Sequence, residues 1–121
     1  MAKILVIDDE DSLQKLMKYN LVARGHQVLL ASNGETGVEV AQQECPDLIF
    51  LDLMMPGISG WDVLTGLKTD ERLKKVPVIV TTAADRGKLE EQALALGAFS
   101  YLVKPFGVEE LLQLVERAVG E

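Results

Sequence analysis

Residues 48–57 read Leu48-Ile49-Phe50-Leu51-Asp52-Leu53-Met54-Met55-Pro56-Gly57, and this stretch decides the fold. Its first four residues are apolar without interruption, as in a strand buried on both faces. The run stops at Asp52, and Pro56, Gly57 and Gly60 make the continuation a loop. A helix is expected from about residue 61 to 68. Strand, polar end, loop and helix form one unit.

The same unit recurs on both sides. Ile4-Leu5-Val6-Ile7 is a β-branched apolar run that ends in Asp8-Asp9. Leu13, Leu16, Met17, Leu21 and Val22 then recur at helical spacing, with Asp11 or Ser12 as the expected cap and Gly25 as the terminator. Residues 27–31 read as a second strand, Asn33-Gly34 as a turn, and residues 36–44 as a helix ended by Pro46. Downstream, Pro77 opens Val78-Ile79-Val80-Thr81, followed by a helix from about residue 86 to 96 that ends at Gly97. Residues 99–103 form the fifth expected strand, and residues 108–119 the last helix. Five strands, each followed by a helix, argue for an α/β domain: one parallel sheet, doubly wound, with helices on both faces.

Composition agrees with a single domain over residues 1–121, with no effector domain expected in this chain. The 121 residues are 48% hydrophobic and 26% charged, the profile of a globular fold rather than a disordered or fibrous one. The net charge is −7, which repels phosphate backbones and anionic lipids, so neither nucleic-acid nor membrane binding is expected. The longest uncharged stretch, residues 92–103, is too short for a membrane-spanning helix, and no secretory segment precedes Asp8-Asp9-Glu10-Asp11. Cys45 is the only cysteine, so neither an internal disulfide nor a thiolate zinc site is available; a reducing, cytoplasmic setting fits.

In an open parallel sheet, sites form beyond the C-terminal ends of the strands. Those ends carry Asp8 and Asp9, Asp52, Thr81 and Thr82, and Lys104. Each residue has an ordinary reading as well. Asp8, Asp9 or Asp11 can cap a helix, Thr81 and Thr82 favour strands, and Lys104 before a proline can sit in a solvated turn. Together they are more specific. Three converging carboxylates repel one another, and one should then resist ionisation unless a counter-charge intervenes. A hard divalent cation with oxygen ligands removes that conflict, and Mg²⁺ is the fitting ion. Acidic residues holding Mg²⁺ beside a lysine suit phosphoryl transfer, and a carboxylate can itself be the nucleophile.

On these residues the chain resembles the receiver domain of two-component response regulators, CheY-like in type. The matching features are Asp8-Asp9, Asp52-Leu53-Met54-Met55-Pro56 with Gly60, Thr82-Ala83, and Lys104-Pro105, over essentially the whole chain. The resemblance implies strand order 2-1-3-4-5 and a phosphorylation-dependent signalling switch. It implies Asp52 as phosphoacceptor, and Asp8, Asp9, Asp52 and the Met54 backbone carbonyl as ligands of Mg²⁺, with Mn²⁺ as a substitute. Lys104 would hold the phosphate, Thr82 would be the switch hydroxyl, and Ala83 would leave room beside it. Tyr101 matches the aromatic that changes rotamer, and Lys104-Pro105 is expected to be cis. A sensor histidine kinase, a phosphotransfer protein or a small-molecule donor would supply the phosphoryl group. A downstream effector or a second copy would bind the fourth helix, fifth strand and fifth helix. Such a domain is not an enzyme: it catalyses only its own aspartyl phosphorylation and dephosphorylation. Met54 and Ala84, both apolar, cannot orient an attacking water, so a long-lived phospho-form is expected.

Other readings fit less well. A dehalogenase-type phosphatase wants a second Asp where Met54 stands, and a dinucleotide-binding domain wants glycines where Asp8-Asp9-Glu10-Asp11 stand. A non-phosphorylated interaction module of the same fold is the remaining alternative. The stripe Leu111, Leu114, Val115 and Ala118, widened by Val108, Leu112 and Val119, reads first as core packing. His26 reads as a solvated turn residue.

Overall fold

The computed structural model describes residues 1–55, 57–83 and 88–120. Five strands alternate with five helices: β1 Lys3–Ile7, α1 Asp11–Ala23, β2 Gln27–Ala31, α2 Gly34–Glu44, β3 Leu48–Asp52, α3 Gly60–Thr69, β4 Val78–Thr82, α4 Lys88–Ala95, β5 Ser100–Val103 and α5 Val108–Val119. The strands form one sheet in the order β2-β1-β3-β4-β5, and every pairing is parallel. The doubly wound α/β architecture expected from the alternation is the one found.

The pleat sorts the core into two layers, because successive strand residues point to opposite faces. Ile4, Val6, Leu48, Phe50, Ile79 and Leu102 pack with Met17 and Leu21 of α1 and with Leu111, Leu114 and Val115 of α5. Leu5, Ile7, Ile49, Leu51, Val78 and Val80 pack on the other face with Ala41, Val63, Leu64, Leu67 and Ala93 of α2, α3 and α4. Burial on both faces explains why these strands are apolar throughout rather than alternating. Among the described residues α4 buries only Ala93, whereas α3 buries Gly60, Val63, Leu64 and Leu67. The α5 stripe is narrower than its sequence suggests: Leu111, Leu114 and Val115 are buried, Leu112, Ala118 and Val119 are half-buried, and Val108 is exposed.

Several local expectations are corrected. Neither Asp11 nor Ser12 caps α1; Glu10 holds that position without a side-chain cap bond, its carboxylate lying against the Lys104 ammonium instead, while its backbone N–H donates to the Asp8 carboxylate at 2.9 Å. Asn33-Gly34 is not a free turn: Asn33 Oδ1 accepts from Thr36 N at 2.8 Å and caps α2, which starts at Gly34. β5 begins at Ser100, and Phe99 is an exposed residue just before it. The expected start of the fourth helix near Arg86 lies outside the described residues. His26 is half-buried, not solvated, and its Nδ1 accepts the backbone N–H of Ala2 at 3.0 Å, tying the start of β1 to the approach to β2. No helix among the described residues is long and apolar enough to cross a membrane.

Candidate functional site

β1, β3, β4 and β5 are neighbours or near neighbours in the sheet, so their C-terminal ends share one rim. Asp8 follows β1 directly and donates its backbone N–H to Ala31 O at 3.0 Å, which extends the ladder to β2 by one step. Asp52 is the last residue of β3 and pairs in register with Thr81 of β4. Lys104 follows β5 and donates its backbone N–H to Thr82 O at 2.8 Å. Each side chain therefore stands on a hydrogen-bonded strand end. α3 closes tightly on this rim. A Cβ on Gly60 would lie 2.5 Å from Leu53 Cα and 2.7 Å from Leu53 O, so only glycine admits that approach.

Asp8, Asp9 and Asp52 each offer a carboxylate oxygen, and the three oxygens lie within 4.8 Å of one another. Asp8 and Asp52 are 2% and 4% exposed, while Asp9 faces solvent. The Lys104 ammonium lies 3.0 Å from Asp8 Oδ2, 3.2 Å from Asp52 Oδ2 and 3.0 Å from Glu10 Oε1. The two buried carboxylates are wired alike. Each uses Oδ2 for Lys104, and each Oδ1 accepts the backbone N–H two residues on, from Glu10 and Met54 respectively, both at 2.9 Å. The second bond turns the chain after each strand so that the loop stays at the rim.

Burial raises the pKa of Asp8, and the nearby Asp52 charge adds to this; the Glu10 N–H and the Lys104 ammonium only partly offset it. Burial alone would lower the pKa of Lys104. Hydrogen bonds and charge from Asp8, Glu10 and Asp52 outweigh it, and the pKa lies above the ordinary lysine value. Lys104 is thus a permanent cation that answers the repulsion between the carboxylates.

The remaining expected residues fall around this cluster. Thr82 is buried, Ala83 is exposed beside it, and Tyr101 is half-buried against the core layer of α2, α3 and α4. The Met54 side chain is 61% exposed. The Lys104–Pro105 peptide bond is cis. Ala84 lies outside the described residues. Two polar residues were not singled out by sequence reading. Glu10 is the third partner of Lys104. Gln14 is buried, and its Nε2 donates to the backbone carbonyls of Asp8 and of Ala31, bracing the loop behind Asp8. Its signal was present, since Gln14 lies three residues before Met17 and seven before Leu21, on the buried stripe of α1.

The donor set consists of carboxylates, and no imidazole or thiolate joins the cluster among the described residues. Such hard oxygen donors fit Mg²⁺ and exclude a zinc-type ligand set. Asp8, Asp9 and Asp52 are close enough to share one ion.

A family model described as the response regulator receiver domain matches residues 4–116. The chain is 41% identical over 119 residues to the transcriptional regulatory protein KdpE of Mycobacterium tuberculosis, covering 98% of this chain and 51% of that protein. It is 37% identical over 120 residues to protein PilH of Pseudomonas aeruginosa, covering 99% of both. It therefore spans about half the length of KdpE and nearly all of PilH. Among solved structures, the chemotaxis protein CheY4 of Vibrio cholerae superposes with a TM-score of 0.92 at 30% identity, covering 98% of each chain. The receiver domain of the Francisella response regulator 1452 gives 0.92 at 28% identity, covering 99% of this chain and 98% of that one.

Proposed function

The chain belongs to the response regulator receiver domain family, and from that premise we propose that it is a phosphorylation-driven switch of a two-component system with Asp52 as the phosphoryl acceptor. The observation that carries this reading is the Lys104 ammonium shared between Asp52 Oδ2 and Asp8 Oδ2, with the Asp9 carboxylate in the same cluster. A carboxylate oxygen of Asp52 attacks the phosphorus of a phosphohistidine or a small acyl phosphate. One P–O bond forms, and the donor's P–N or P–O bond breaks. The leaving group keeps the electron pair, and a leaving imidazole takes a proton from solvent. Lys104 holds negative charge on the transferring group, and the buried rim strengthens that interaction.

Asp8, Asp9, Asp52 and the Met54 backbone carbonyl would hold Mg²⁺ or Mn²⁺. A cation bound there neutralises charge on the phosphoryl oxygens. Thr82 donates its hydroxyl to a phosphoryl oxygen and draws the end of β4 toward Asp52. Tyr101, half-buried beside it, takes up the space this vacates. The face made by α4, β5 and α5 then changes for a downstream effector or a second copy of the chain. The exposed Leu94, Leu96, Phe99 and Val108 support a partner surface there. The phosphoryl donor is a sensor histidine kinase or a phosphotransfer protein, and the setting is the cytoplasm. The exposed apolar Met54 offers no hydrogen bond to an attacking water, which favours a long-lived phospho-form.

Incubation with acetyl phosphate and Mg²⁺, followed by intact-mass measurement, tests this. One phosphoryl addition is expected, and Asp52→Asn abolishes it. A native chain that takes up no phosphoryl group overturns the proposal in favour of a pure interaction module. Sustained turnover of phosphomonoesters would instead make it a phosphatase.

A further inference from the structure

A buried hydroxyl stands beside the carboxylate cluster and takes no part in it. Thr81 is 2% exposed, and its Oγ1 has no hydrogen-bond partner among the described residues. Leaving such a group unpaired is costly, because water no longer satisfies it. The position is specific. Thr81 pairs in register with Asp52, two residues beyond the pair Phe50 and Ile79, both of which face the layer of α1 and α5. Asp52 and Thr81 therefore project on that same face of the pleat. Thr82 follows the opposite pleat, that of Val80, so the two threonines do not duplicate each other. β4 lies between β3 and β5, so the Lys104 side chain crosses β4 to reach Asp52. Thr81 sits on the strand that lies between the acceptor and its lysine.

We propose that Thr81 is a positioning residue for phosphorylated Asp52. The inference rests on the receiver reading above. In the resting site both Asp52 oxygens are engaged, Oδ1 by Met54 N and Oδ2 by Lys104 Nζ, and the Thr81 hydroxyl is idle. An acyl phosphate on Asp52 brings new acceptor oxygens to that spot, and the Thr81 hydroxyl donates to the group that Asp52 carries. No covalent bond changes at Thr81, and its proton stays on Oγ1. The unpaired hydroxyl disfavours the resting state and favours the loaded one, so it biases the switch in one direction.

Thr81→Val removes the hydroxyl and keeps the shape; Thr81→Ser keeps the hydroxyl. Beryllium fluoride, a non-covalent stand-in for the phosphoryl group, is titrated calorimetrically into each protein at saturating Mg²⁺. Thr81→Val should weaken its binding about fivefold, the worth of one hydrogen bond. The same variant should raise the melting temperature of the metal-free protein, while Thr81→Ser retains the native affinity. Equal binding by the native and Thr81→Val proteins overturns the proposal. A lowered melting temperature in Thr81→Val together with lost affinity in Thr81→Ser also overturns it and leaves Thr81 a packing residue. If the native chain neither binds beryllium fluoride nor takes a phosphoryl group from acetyl phosphate, the receiver reading fails first and this inference falls with it.

Discussion

The Lys104 ammonium lies 3.2 Å from Asp52 Oδ2, although 52 positions separate the two residues in sequence. The same ammonium reaches Asp8, so one cation holds together the ends of three strands. Removing it leaves two buried carboxylates facing each other. Lys104→Met should destabilise the metal-free protein by about 3 kcal/mol, as for other buried pairs that lose one partner. Added Mg²⁺ should restore part of the loss. Urea denaturation in EDTA and in Mg²⁺ measures both.

The raised pKa of Asp8 makes the metal-free protein acid-favouring at this site. The folded pKa lies above the ordinary value of 3.8, so the native state binds the proton more tightly than the unfolded chain. That contribution is fully present below 3.8 and is lost as pH rises through the folded pKa. Asp8→Asn should flatten this part of the stability profile and gain stability at neutral pH in EDTA. It should also weaken the stabilisation by Mg²⁺. Unfolding midpoints across pH, with and without the cation, read each effect.

Two glycines of α3 should respond oppositely to alanine. At Gly60 the new Cβ meets the Leu53 backbone at 2.5–2.9 Å, which cannot yield as a side chain does. Gly60→Ala should cost about 1–3 kcal/mol and disturb the loop after Asp52. At Gly66 nothing lies within 4 Å, and alanine is the better helix former. Gly66→Ala should gain about 0.5–1 kcal/mol. Thermal unfolding of the two variants makes the comparison.

Gln14 supports the site from behind through the carbonyls of Asp8 and Ala31. Gln14→Leu preserves apolar volume but removes the donor from the Asp8 carbonyl. The expected cost is about 1–3 kcal/mol, with weaker Mg²⁺ binding because the Asp8 loop loses its brace. Calorimetric titration with Mg²⁺ separates the second effect from the first.

Much of this arrangement could be read from the chain. The five apolar runs are unbroken because the sheet is covered on both faces, and Asp8, Asp52 and Lys104 stand out because each ends such a run. What escaped depends on direction in space. Asn33-Gly34 has turn chemistry, and the same side-chain acceptor that makes a turn also caps α2. His26 looked solvated because its partner, the Ala2 N–H, is 24 residues away. Glu10 is one acid in a run of four, and only the fold selects it for Lys104. Thr81 and Thr82 are adjacent and alike in sequence; the pleat turns them to opposite faces of the sheet.

The slender anchorage of α4 has a consequence for how a chemical event at Asp52 could be felt elsewhere. Burying one methyl-sized side chain stabilises by only about 1 kcal/mol, against several for the valine and two leucines that α3 buries. Among the described residues, α4 therefore has far less buried side chain to lose than α3 and is the cheaper of the two to dislodge. A modest local rearrangement can therefore spend its small free energy there, without loosening the rest of the framework.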